Sequence, residues 1–172
     1  MSKRGNLEKD AFTLIELLLY IGLMGVILLI SSQFINITLK TKVKGQLINE
    51  VEQQGDQITY LLSQNIKASS AINSPATGTS STTLSLASND PARNPTVFKL
   101  ASTSLVVSFA GGSNIELNNS RVKASDLIFY NLSNASSTGS LSASFSLGII
   151  DPYNRSEYSY SERFNVSASR RY

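Results

Sequence analysis

The spacing of apolar and polar positions changes character twice along the chain. Residues 1–11, MSKRGNLEKDA, are short and polar. From Phe12 to Ile30 the chain is nearly all apolar, about 19 residues against the ~20 that cross a bilayer as a helix. Val43, Leu47, Val51, Ile58, Leu62 and Ile66 then recur near one helical face, while Lys44, Glu50, Glu52, Gln53 and Asp56 supply a solvated one. The spacing predicts one helix from Phe12 to about Lys67, roughly 56 residues or ~84 Å at ~1.5 Å per residue. A free coiled coil would show longer and stricter heptads. The second half, residues 31–68, therefore reads as an amphipathic helix lying on a sheet.

The segment SSAINSPATGTSST, residues 69–82, carries Pro75 and Gly78 among small polar residues and reads as a linker loop. Beyond it the period becomes two. Leu141, Ala143, Phe145, Leu147 and Ile149 alternate with serines and Gly148, and Tyr158, Tyr160, Phe164, Val166 and Ala168 alternate with polar neighbours. Such alternation marks half-buried strands. Further strands are expected at Thr83–Ala87, Thr96–Leu100, Leu105–Phe109, Ile115–Leu117 and Arg121–Leu132, with turns at 110–114, 133–140 and 150–156. The expected fold is α+β: a long N-terminal helix, apolar in its first half, packed on a C-terminal antiparallel β-sheet spanning residues 83–172.

Composition narrows the chemistry. The chain has 172 residues and a formal net charge of +3, with no cysteine and no histidine. That length supports one domain with a modest core. Without cysteine the domain rests on packing alone, with no disulfide framework. Without histidine it lacks the usual general base and the commonest zinc ligand. No G-x-S-x-G element occurs either. The expectation is a protein that is not an enzyme, has no cofactor and holds no catalytic metal.

Glu16 breaks the apolar run. A carboxylate in a membrane helix is costly and by default implies a functional partner. Three readings of residues 1–30 compete. A secretory signal peptide would have a shorter apolar core and an A-x-A-like cleavage site, and neither is present. A plain signal anchor fits the length but leaves Glu16 without a purpose. The third is a cut between Ala11 and Phe12, which frees an amine on Phe12. Glu16 of one subunit then neutralises the Phe12 amine of its neighbour, and this pairing sets the register of assembly in a medium of low dielectric. Lys3, Arg4 and Lys9 favour a cytoplasmic N-terminus, although Lys40, Lys42 and Lys44 form an equal cluster on the other side.

The stretch A-FTLIELLLYIGLMGVILLI, residues 11–30, resembles the class III signal of the type IV pilin and pseudopilin family: a small residue, then Phe-Thr-Leu-x-Glu, then a long apolar helix. The helix-then-sheet order extends the resemblance to the whole layout, the family's ladle fold. The resemblance implies that residues 1–11 are a cytoplasmic leader. A prepilin peptidase would remove it after Ala11 and N-methylate Phe12, and Glu16 would fall on the family's assembly acid. It also implies single-pass insertion in the cytoplasmic (inner) membrane, N-terminus inside. Passage through an assembly platform into an extracellular or periplasmic filament of other pilin subunits follows. Two features depart from the family pattern. Ala11 stands where the family usually has Gly, and no Pro occurs before Pro75, so a less melted helix is expected. Tyr20 in the first apolar turns and IELNNSRVKASDLIFYNL, residues 115–132, are similar to J-type pseudopilins and W-type minor pilins. That group implies a low-abundance subunit near the filament tip, and retention of Glu16 implies a place below the apex. Pili for adhesion or twitching, DNA uptake and type II secretion all use such chains.

Two further candidates lie near the C-terminus. Arg163, Arg170 and Arg171 with Phe164 and Tyr172 could contact single-stranded DNA through phosphate and stacking; the plainer reading is a charged strand edge that resists aggregation. Asp151, Asn154 and Glu157 could offer oxygens to calcium, but that ion wants six or more ligands, and turn residues are the simpler reading. The competing functional class is a membrane-anchored extracytoplasmic β-domain that works alone as an adhesin or DNA-binding module.

Overall fold

A computed structural model of the chain describes residues 13–134, 139–150 and 159–171. Among the described residues one α-helix, α1 (Leu14–Ala68), is followed by a short 3-10 turn at Pro91–Arg93 and nine strands. These are β1 (Ala71–Ser74), β2 (Ser80–Ser81), β3 (Thr83–Ala87), β4 (Thr96–Ala101), β5 (Ser104–Phe109), β6 (Ile115–Glu116), β7 (Val122–Asn131), β8 (Ser140–Ile149) and β9 (Ser161–Ser169). The chain divides into two units, Met1–Lys42 and Val43–Tyr172.

In the first unit every described residue is helical or caps the helix, and every one is exposed. The helix carries no proline, so its backbone ladder is unbroken, as the sequence predicts. Thr38 and Thr41 turn their hydroxyls back on the carbonyls of Phe34 and Ile37. This satisfies the hydroxyls within the helix instead of from outside.

Among the described residues the buried core lies wholly in the second unit. Leu47, Val51, Gly55, Ile58, Leu62 and Ile66 form the buried face of the helix, with steps of three and four residues that keep them on one side. Val51, Ile58, Leu62 and Ile66 join one hydrophobic cluster with residues from both sheets, among them Leu84, Phe98, Leu105, Phe129, Phe145 and Leu147. The α+β arrangement of a helix packed on antiparallel sheet is thus as expected.

The sheet is not single. A five-stranded sheet runs in the order β1-β3-β4-β5-β6, and a four-stranded sheet in the order β2-β7-β8-β9. Every pairing is antiparallel. The two sheets are joined near Asn118, a buried polar residue. Its Oδ1 accepts from Leu105 N at 2.7 Å, and its Nδ2 donates to Val122 O at 2.6 Å. One side chain therefore satisfies backbone groups of β5 and β7 that a continuous ladder would otherwise have paired. Asn119, next in sequence, ties the same corner to the helix: Nδ2 donates to Glu50 Oε1 at 2.7 Å, and the backbone N donates to Gln54 Oε1 at 3.0 Å. Arg121 Nη1 lies 3.3 Å from Glu50 Oε2.

Residues 69–82 are not a plain loop. β1 pairs with β3 and β2 pairs with β7, so this segment supplies an edge strand to each sheet. Both strands are too short to show a period. Asn131 fixes the turn between them, its Nδ2 donating to Pro75 O at 2.8 Å. The strands predicted from residue 83 onward all form, within two residues of the expected ends except at the start of β9. Part of the expected 133–140 turn and most of the 150–156 turn lie outside the described residues.

Candidate functional site

The first candidate is the N-terminal apolar segment. Its large apolar side chains from Leu14 to Leu39 are each 49–78% exposed. The helix is long and apolar enough to cross a membrane, and none of its most apolar window is buried. An apolar surface this large is stable in water only when something covers it. Lipid or other helices of the same kind both meet that demand.

Glu16 is the acid of the helix's first turn. Thr13 precedes the helix. Its carbonyl accepts from Glu16 N at 3.1 Å and from Leu17 N at 3.2 Å, and its Oγ1 lies 3.4 Å from Glu16 N. Thr13-Leu14-Ile15-Glu16 thus has the spacing of a capping box, with the acid on the third helical residue. An acid there is favoured by the positive end of the helix dipole. One turn on, Tyr20 Oη donates to Glu16 Oε1 at 3.4 Å. The carboxylate is exposed, and its cap and its i,i+4 phenol hold it near the tip of the helix. Both relations were present in the sequence as T-x-x-E and E-x-x-x-Y spacings. Ala11 and Phe12, the expected cleavage pair, lie outside the described residues.

The three arginines proposed for DNA contact are not brought together. Arg163 lies on the outer face of β9, and its Nε donates to Ser144 Oγ at 2.9 Å on the neighbouring strand. Arg170 is seven residues further, ~23 Å along an extended chain at ~3.3 Å per residue. Its guanidinium donates to Ser70 O just past the helix, so it serves the fold. Arg171 N donates to Lys67 O at 3.2 Å. Its side chain and Lys67 border an open hollow of about 360 Å³ with Tyr60, Ser63, Gln64 and Ala68. Arg171 and Lys67 thus bring two cations to one hollow.

Among the described residues no group of three or more acids could hold a metal ion. Asp151, Asn154 and Glu157 lie outside them. Tyr160 ionises above its usual range, chiefly because its hydroxyl donates to Glu162 Oε2 at 2.8 Å and loss of that proton would set two negative charges side by side. A second, more polar hollow lies on the outer face of the four-stranded sheet, between Lys123, Asp126 and Gly148.

Compared with protein-family models, with curated proteins and with solved structures, the chain matches none.

Proposed function

We propose that the chain is a structural subunit of a type IV pilin-like filament, a minor pilin or pseudopilin rather than an enzyme. The observation that carries this reading is the exposed apolar helix from Leu14 to Leu39 with a single acid, Glu16, in its first turn. A lone anchor needs the apolar surface but not the acid, and an acid in lipid is costly. A filament subunit needs both. In the membrane the apolar surface faces lipid. In the filament it faces the same surface of other subunits, and Glu16 meets the free amine that a cut after Ala11 would leave on a neighbour's Phe12. The buried carboxylate would then be charged and paired, which offsets its desolvation.

On this reading a prepilin peptidase cuts between Ala11 and Phe12 and methylates Phe12. The partners are other pilin subunits, the cytoplasmic membrane and an assembly platform. The sheets stand outside the cytoplasm, and the place of the subunit is near the tip, below the apex. DNA uptake, type II secretion and surface pili remain as host systems.

The experiment is mass spectrometry of the mature N-terminus, from membranes and from material sheared off the cell surface. A chain that starts at N-methylated Phe12 and occurs in the sheared fraction is the expected result. A chain that still carries Met1–Ala11 and occurs only in membranes would overturn the reading and favour an anchored adhesin.

A further inference from the structure

The outer face of the four-stranded sheet contains a hollow that the filament reading does not use. The register sets Lys123, Gly148 and Ser161 side by side across β7, β8 and β9. The next row on the same face is Ser125, Ser146 and Arg163. Gly148 lines the hollow where its neighbours close in: a Cβ there would stand 3.1 Å from Ser161 Cβ, 3.4 Å from Tyr160 O and 3.6 Å from Lys123 Cε. The other outward positions of β8 are all serine, at 140, 142, 144 and 146, so the middle strand stays low.

Asp126 enters this hollow through a distortion. β7 advances three residues from Ser125 to Ile128 while β8 advances two, so Asp126 is the extra residue of a bulge. Its φ is +52°, a left-handed conformation that costs energy for any residue but glycine. Bulges re-aim side chains and recur beside binding sites. Ser125 Oγ donates to Asp126 Oδ2 at 3.1 Å and so orients the carboxylate.

The chemistry of the lining selects a ligand class. The hollow measures about 410 Å³, within the ~300–1,000 Å³ of small-molecule sites. Such sites are usually apolar, and this one is predominantly polar. It offers one ammonium and one carboxylate, whose charges cancel, so neither a bare anion nor a bare cation is favoured. Serine hydroxyls at 125, 146, 159 and 161 line it as well, that of Ser125 already donating to Asp126. A carboxylate and an ammonium among hydroxyls match a neutral ligand rich in vicinal hydroxyls. We propose that this hollow binds a neutral sugar, with Asp126 accepting from adjacent hydroxyls and Lys123 donating to one.

The test uses the full chain in a detergent without a sugar headgroup. Saturation-transfer NMR and titration are run with neutral mono- and disaccharides, uronic acids and free amino acids. Millimolar or tighter binding of a neutral sugar is expected. Asp126→Asn should weaken it by about tenfold or more through loss of charge-assisted hydrogen bonds, and Gly148→Ala should weaken it severalfold by displacing Ser161 and Lys123 from the lining. Unchanged near-UV circular dichroism keeps both results separate from misfolding. If Gly148→Ala fails to fold, Ser146→Val removes one hydroxyl from the same hollow and should weaken binding severalfold. No neutral sugar bound, stronger binding of uronic acids or amino acids, or affinity indifferent to Asp126→Asn would each overturn the proposal. It is independent of the filament reading, since an anchored domain would keep the hollow.

Discussion

Gly55 of the helix faces the ring of Phe164 on β9 so closely that a Cβ at 55 would stand 2.1 Å from Phe164 Cζ. Phe164 in turn stacks on Phe145, with centroids 5.5 Å apart. The glycine is there because the ring needs the space, against a helix-propensity cost of about 1 kcal/mol relative to alanine. Gly55→Val should therefore destabilise the domain, by about 1–3 kcal/mol from overpacking. Adding Phe164→Ala to that variant should recover part of the loss. Chemical unfolding of the single and double variants measures the coupling, and strict additivity would contradict the contact.

Asn118 offers a second test of the fold. Replacing it with leucine keeps the branched outline but orphans Leu105 N and Val122 O at the junction of the sheets. Each buried unsatisfied group costs about 1–3 kcal/mol. Asn118→Leu should lower stability by about 2–5 kcal/mol on that basis. Amide exchange at Leu105 should accelerate beyond the change at helix positions such as Ile58.

Glu16→Ala separates insertion from assembly. Removing the acid should leave membrane insertion intact or improve it, because a charged residue in lipid costs about 2.5–3.5 kcal/mol even on permissive scales. The same change should remove the subunit from sheared filaments. Fractionation of cells carrying the variant reads both, and normal assembly would sink the charge-pairing account.

The arginines divide by structural role. Arg170→Ala should loosen the closure of the C-terminal tail on Ser70 and lower stability by about 1.5–3 kcal/mol, the range of a charged hydrogen bond. Arg163→Ala, on an exposed face, should change stability by no more than about 0.5 kcal/mol. Thermal unfolding compares them. With the arginines dispersed, neither variant should alter retention on single-stranded DNA at moderate salt.

Tyr160 gives a pH signature. Its folded pKa is raised above 10, chiefly by the hydrogen bond to Glu162. For an acid kept neutral in the folded state, the stabilisation is complete below pH 10. It is lost as pH rises from 10 through the folded value, because the unfolded chain releases the proton first. Tyrosine absorbance during alkaline titration, with Tyr160→Phe as reference, should show one phenol ionising later than an unperturbed tyrosine.

Much of this fold could be read from periodicity, and the exceptions have physical causes. The helix and strands β3–β5 and β7–β9 follow from their 3.6 and 2.0 repeats. Alternation names the buried face of a strand but not its neighbour, so the split into two sheets at Asn118 left no trace in the pattern. VKASDLIFYN also breaks strict alternation: Val122 and Ala124 point inward, and then Leu127 and Phe129 do so. The extra residue at Asp126 restores the parity. That break in the pattern was the sequence's one sign of the hollow. Of the apolar segment, the exposure and the acid were legible from the start. The capping role of Thr13 and the reach of Tyr20 to Glu16 were present as spacings but carried no weight without geometry.

The division between exposed and buried helix has a consequence for variation. No described residue before Gly45 is less than exposed, and the first buried one is Leu47. Substitutions from Leu14 to Lys42 thus remove no core contact and are nearly silent in the stability of the sheets. Any limit on which residues this stretch tolerates must come from what surrounds it outside the chain. A library randomised there and sorted first for folding, then for surface display, would draw two different maps from one helix, and the difference between them would outline its surroundings residue by residue.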